Sequence, residues 1–484
     1  MNNGNKKTLL GLTIGLVSAC CIAAAPSSKS TRTARAIYVA VGGNDSIGDG
    51  TEAHPFATLS KASEDLVAGD QVLIHGGRYL GTHVTIQSKG TETAPIRIAA
   101  VPGETVTLVG AGTSKGVDEG EDKAKIASVF DLRTARYVTV ENLEVTDSPG
   151  YGISVWDAEN VTVRGCKIHH TWSRGLGGSG DHLLFENNEI YDVVLQNEEE
   201  STFGDTANAI RYWSAAAATW YRPGGIPSRD IVWRKNKIYD SWGEGLIALL
   251  ADGVRIEGNE VFNIYSGLIY IDHSRNVTVD SNFVYHSDRK RVRRDSKEVS
   301  SGIFIGSEGY RAAGAFEIEN IRITRNVIVN VEIGIGYWRD GGNPLKNTYK
   351  NVLIENNLVY GAALLTVSFA APTYVATGGN NRIAGNIFFE PRYLWRLNPE
   401  PITLRLDNPE IWSVDRNLIL RAPSSEMTTK LASFTGNLIA DPKLTEPRVS
   451  LPMNVENFRP RCDSPVWNVK GKSIGPWKNC KSSY

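Results

Sequence analysis

The chain has 484 residues and a formal net charge of −1, with 52 Lys and Arg against 53 Asp and Glu. No long tail of one sign is present, and a surface so balanced lacks the positive field that phosphate backbones need, which argues against nucleic acid as the main partner. Gly is frequent (47 residues), and Val, Ile and Asn are abundant, a composition suited to many short strands and tight turns.

At the N-terminus Lys6 and Lys7 precede an apolar run from Leu9 to Ala25. The run is too short to span a bilayer and has the layout of a secretory signal, so export is expected, to the periplasm, the cell surface or the medium. Val17-Ser18-Ala19-Cys20 resembles a bacterial lipobox, with Cys20 as the lipidated residue and a lipid anchor as the chain's one contact with a membrane. Ala23–Ala25 offers a second cleavage pattern, but Pro26 directly after it is unfavourable, and the lipobox is preferred. Residues 26–35 are Ser/Thr-rich and read as a linker.

Residues 36–129 read as an N-terminal cap with the first coils. A strand over Ile37–Val41 leads into a Gly/Asp turn and then a segment opened by Pro55. There Leu59, Ala62 and Leu66 share one helical face, so an amphipathic capping helix is expected. From residue 130 to 440 one motif recurs, an Asn followed after one residue by Val, Ile, Leu or Phe. Asn188, Asn236, Asn259, Asn282, Asn326, Asn357, Asn386, Asn417 and Asn437 carry it, and Asn142 and Cys166 are read as occupying the same place. Copies lie 20–31 residues apart except for two steps of more than forty, where insertions are placed at 196–228 and 287–319. A short β-rich period of this kind predicts a solenoid, an all-β parallel β-helix with one coil per copy. The Asn are expected to sit in left-handed turns and to bond the Asn one coil away. Residues 441–484 read as a C-terminal cap, with Cys462 and Cys480 close enough in sequence to pair in an oxidising compartment.

The opening of the repeat region resembles bacterial right-handed parallel β-helix proteins, including several polysaccharide lyase families. Tyr38-Val-Ala-Val-Gly-Gly-Asn-Asp45, Gly50-Thr-Glu-Ala-His-Pro-Phe-Ala-Thr58, Ala68-Gly-Asp70, Gly76-Gly-Arg-Tyr79 and Ala94-Pro-Ile-Arg-Ile-Ala-Ala100 carry the resemblance. It implies a right-handed β-helix and a polysaccharide substrate. No counterpart is found of the Lys-centred calcium site of the family 9 pectate lyases, nor of the calcium–Lys–Arg set of the family 6 lyases.

Equivalent positions on successive coils stack about 4.8 Å apart, so an outward column becomes a line of side chains. With Ile153 and Val155 inward, Ser154 and Trp156 face out, and Arg211 and Trp213 follow in Ala209-Ile-Arg-Tyr-Trp213. Such rings either bind sugars or lie under loops. Acidic residues and their neighbours gather at strand ends and turns, and counting along the coils from the ladder places Arg211, Glu244, Asp272 and their aromatic neighbours on one common flank. For a lyase acting on a uronate-containing glycan, Arg211 and Arg174 are candidate neutralisers of the uronate and His273 a candidate base. Glu244 and Asp272 would orient groups or hold a metal, Ca²⁺ being the cofactor considered. Trp156, Trp213, Trp242, Tyr265 and Glu308 would line sugar subsites. A glycoside hydrolase using a pair among Glu244, Asp272 and Glu308 is the second reading, and a non-catalytic glycan-binding lipoprotein the third. A monomer is expected.

Overall fold

A computed structural model describes residues 33–112, 128–198, 214–287, 299–307, 318–339, 349–369, 380–389, 402–420, 436–448, 450 and 452–481. Every paired strand in it runs parallel to its neighbours, and the chain climbs through three strand columns per coil. The first column includes Ser128–Arg133, Leu176–Asp181, Ala215–Thr219, Glu244–Leu249, Ile269–Asp272, Ile303–Ser307 and Ile333–Arg339. The second includes Arg136–Glu141, Ser228–Arg234, Ala251–Glu257, Arg275–Asp280 and Ile318–Thr324, and the long strand Tyr151–Arg164 bends through both. The third includes Lys167–Thr171, Glu189–Val193, Lys237–Ser241, Glu260–Ile264 and Phe283–Tyr285. This is the parallel β-helix that the period predicts.

Strict register builds the core. Ile153, Leu176, Ala217, Leu246, Ile269, Ile303 and Ile335 stand in line across successive coils, each buried within the single large apolar core. Residues with side chains of opposite parity face outward.

The Asn ladder lies between the second and third columns, and its physics differs from the expectation in one respect. Asn259 Nδ2 donates to Asn282 Oδ1 at 3.0 Å and to the Trp233 carbonyl at 2.9 Å, while its Oδ1 accepts from the backbone and side chain of Asn236. The same set repeats without a break from Asn188 to Asn437. The left-handed residue, however, is the one before the ladder Asn from Asn188 to Asn417: Asn187, Lys235, Gly258, Ser281, Arg325, Asn356, Gly385 and Arg416 have positive φ. The ladder Asn face inward and are buried because they satisfy backbone groups the turn leaves unpaired. Asn142 has φ 59° and belongs to that left-handed set, so Leu143 holds the ladder place on its coil.

Three further expectations change. The N-terminal helix is a single turn, Leu59–Ala62, capped by the Thr58 hydroxyl; Leu59, Ala62 and Leu66 are buried. The segment 196–228 is not one loop, since Ala215–Thr219 is a buried strand of the first column. Likewise Ile303–Ser307 lies within 287–319. Beyond Asp441 the chain turns back over the outside of the third column. Phe458, Val466, Ile474 and Trp477 cover Phe283, Val329 and Tyr360, and Cys462 and Cys480 form a disulfide.

Candidate active site on the outer face of the first column

Five coils enter the first column through a glycine, Gly152, Gly175, Gly245, Gly302 or Gly334, while Ala216 and Leu268 hold the position on two others. The neighbouring coil explains why: a Cβ on Gly245 would lie 2.2 Å from the Leu268 carbonyl oxygen. The residue just before this position is therefore pinned at the strand entrance. On successive described coils Tyr151, Arg174, Ala215, Glu244, Gly267, Ser301 and Ile333 hold that place, with Ala215 and Glu244 direct partners.

Arg174 is the unusual member. It is only 1% exposed, and its guanidinium carbon lies 4.9 Å from both the Tyr151 and the Trp220 ring centroids. The two rings sandwich the cation, which suits the delocalised guanidinium plane. Its Nε and Nη1 are buried and have no hydrogen-bond partner. A buried charge is normally paired, so those two N–H groups are a ready recognition element for an anion, a planar carboxylate above all. Glu244 is two coils further on, about 10 Å along the stack, and is also mostly buried.

Trp220 belongs to a strap after Ala215–Thr219. The strap is latched by Arg222, whose Nε meets Asp157 Oδ1 at 2.7 Å and whose Nη1 meets Asp181 Oδ2 at 2.7 Å. The strap's Trp220 and Tyr221 join Ala218, Ile247, Leu249 and Tyr270 in an apolar cluster outside the sheet, with Trp156 and Phe304 against it. Trp156 thus faces outward as expected, but most outward rings here are packed under a strap. Trp338 is the exception, 52% exposed.

The predicted site residues separate into two groups. Trp242 and Tyr265 occupy the return turn beside Arg174 and Glu244, with ring centroids 6.0 Å apart, and both are largely buried. Asp272 and His273 lie at the opposite end of the column. Asp272 pairs with Leu249, five residues past Glu244 on its strand, which places it roughly 16 Å away along the sheet. His273 Nδ1 bonds Asp272 Oδ1 at 2.8 Å, and both side chains are buried. The sequence expectation of one common flank is therefore corrected: residue type placed them all on outward turns, but they occupy two different turns. Arg211, Trp213, Glu308 and Cys20 lie outside the described residues, as does the whole basic stretch Arg289–Arg294. Among the described residues no group of three or more His, Cys, Asp and Glu is placed to hold a metal. Tyr151 and Trp220 were not among the expected site residues. Tyr151 carried a signal, since it precedes Gly152 as Arg174 precedes Gly175. Trp220 sits in an aperiodic strap, and its one signal was its place in the long insertion at 196–228.

A family model described as a Pel9A-like, right-handed β-helix region matches residues 37–210, and one described as a right-handed β-helix region matches 206–388. The uncharacterized protein YwoF of Bacillus subtilis (strain 168) is 24% identical over 385 residues, covering 73% of this chain and 77% of its own. Among solved structures, pectate lyase Pel9A is 18% identical, with 93% of this chain and 97% of that one covered and a TM-score of 0.48. A rhamnogalacturonan lyase is 14% identical, with 87% and 95% covered and a TM-score of 0.48. The GH136 lacto-N-biosidase of Eubacterium ramulus is 15% identical, with 79% and 67% covered and a TM-score of 0.42.

Proposed function

We propose, from the premise that the chain is a right-handed parallel β-helix protein, that it is an exported polysaccharide lyase acting on a uronate-containing glycan. The observation that carries this reading is Arg174, a buried cation with two unspent N–H donors between two aromatic rings. A uronate carboxylate matches both the charge and the planar two-donor geometry. Neutralising that carboxylate makes the C5 proton removable, because the charge that develops on the carboxyl oxygens is stabilised there. Glu244, two coils away, is the group assigned to accept the C5 proton; the C5–H electron pair then forms the C4–C5 double bond, the C4–O bond breaks, and the oxygen left on the other sugar takes a proton from water. Trp220, Trp242 and Tyr265 supply ring surface for sugar faces. Asp272 and His273 take no part in that step and hold the far turn of the column. Of the carboxylate pairs the hydrolase reading offers, Glu244 with Asp272 is lost, since roughly 16 Å between their positions far exceeds the 5–9.5 Å over which paired carboxylates act, while Glu308 lies outside the described residues. Export is supported by the Cys462–Cys480 disulfide.

The test is to incubate the mature chain with acidic and neutral polysaccharides, following ultraviolet absorbance and reducing ends together, beside Arg174→Met and Glu244→Gln. Elimination yields both signals on a uronate-containing glycan, and both variants lose them. New reducing ends without absorbance, or only binding, would reject the lyase.

A further inference from the structure

On the outer face of the third column a second cluster stands apart from the Arg174 site and does not depend on the reading given to it. Neighbouring residues of a strand point to opposite faces, yet His169 and His170 meet, because His170 has φ 51° and breaks the strand alternation. Their Nδ1 atoms lie 2.7 Å apart. The other nitrogen of each ring faces a carboxylate: His169 Nε2 lies 3.1 Å from Glu144 Oε1, and His170 Nε2 lies 3.2 Å from Asp192 Oδ2.

This geometry cannot be satisfied by two neutral rings. If each Nε2 carries its proton toward its carboxylate, the two Nδ1 lone pairs face each other. If either proton moves to Nδ1, an Nε2 lone pair faces a carboxylate instead. One added positive charge between the Nδ1 atoms removes the conflict. With Lys167 3.7 Å from Glu144, the surroundings carry two negative charges against one positive. Imidazoles whose far N–H groups are held by carboxylates are the arrangement that orients histidines on metal ions.

We propose that His169 and His170 form a binding site for a divalent transition-metal ion of the zinc or nickel class, held by the two Nδ1 atoms with water completing its shell. Thr146, whose Oγ1 lies 3.2 Å from His169 Nδ1, is placed to hold one such water. Because only two side chains bind directly, the ion exchanges readily.

The test is calorimetric titration of the untagged full chain with Zn²⁺, and separately Ni²⁺, in a non-coordinating buffer. The wild type is expected to bind one ion per chain with saturation below 1 mM. His170→Asn, in which Asn tolerates the left-handed backbone, should weaken that binding at least tenfold, and Asp192→Asn should weaken it less while keeping both rings. The absence of saturable one-to-one binding in the wild type, or equal binding by His170→Asn, overturns the proposal.

Discussion

The outer faces of the first and third columns are both lined with aromatic rings, and they are built on opposite principles. On the third, His169, Tyr191, Tyr239, Phe262 and Tyr285 stack one above another, with centroids 4.7–5.0 Å apart and nearly parallel planes. Glu189 accepts from the Tyr239 hydroxyl and Glu260 from that of Tyr285, and the C-terminal tail closes over the upper rings. On the first, the rings are tilted, held by a strap, and packed round a cation with unspent donors. Beyond the histidine pair, the third face has its ring hydroxyls matched within the fold, so that stretch contributes stability. The first leaves Arg174 costly to bury, and a cost retained in a folded chain marks a place where something else is recognised.

Replacing Arg174 by Met should separate activity from stability most sharply. The variant keeps an unbranched apolar side chain between Tyr151 and Trp220 but removes the charge. Loss of a preorganised electrostatic donor lowers kcat/KM by about 10³-fold on the glycan that the wild type cleaves. Removing an unpaired buried charge should leave stability unchanged or raise it by about 1–3 kcal/mol. A urea melt run beside the ultraviolet assay reads both. A variant that loses stability and activity together would show that Arg174 is a structural strut, and the contrast between the faces would fail.

Tyr285→Ala is the mirror case. It deletes a buried ring stacked on Phe262 and leaves Glu260 without its hydroxyl partner, at 2.7 Å in the wild type. The expected loss is about 3 kcal/mol of stability, with kcat/KM unchanged at a temperature where the variant is folded. A fall in kcat/KM at full foldedness would mean that the third face reaches the site.

What could be read from the sequence divides along the same line. The ladder Asn repeat because each coil presents the same unpaired backbone groups, so a period reports them directly. The ring stack was equally within reach: His169, Tyr191, Tyr239, Phe262 and Tyr285 each lie three residues after a ladder position, and counting from Cys166, Asn188, Asn236, Asn259 and Asn282 finds them all. The candidate site was less legible for a physical reason. Arg174 and Glu244 precede a packing-restricted glycine and so inherit the period, whereas Trp220 and Arg222 belong to a strap whose path is set by its ends and its latch. Asp272 and His273 were read onto the same flank as Glu244 because an outward turn looks alike at either end of a strand.

The seam between the two faces carries the smallest effect. His286 lies on the return path from the third column to the first, 1% exposed, with Nε2 3.1 Å from Ser300 Oγ. Burial alone pushes its imidazole down to about 3. Its folded pKa is thus below the unfolded value near 6.5, and the fold holds the neutral ring. The stabilisation is complete above pH 6.5 and is drained as pH falls from there toward 3, since the unfolded chain takes up the proton first. Between pH 7 and pH 5 this removes about 2 kcal/mol. In His286→Gln that part of the slope should vanish, so urea midpoints of the variant at pH 7 and pH 5 should lie closer together than those of the wild type. An unchanged slope would rule out His286 as the source of acid sensitivity in this window, and that slope could not be assigned to the Arg-paired carboxylates Glu141, Asp252 and Asp415, which burial raises but whose ion pairs hold them lower overall. Those groups are ionised in the fold and lose their contribution only as pH drops through the carboxylate range, below about 4. The window between pH 6.5 and 5 therefore isolates the seam from the ion pairs of the solenoid wall.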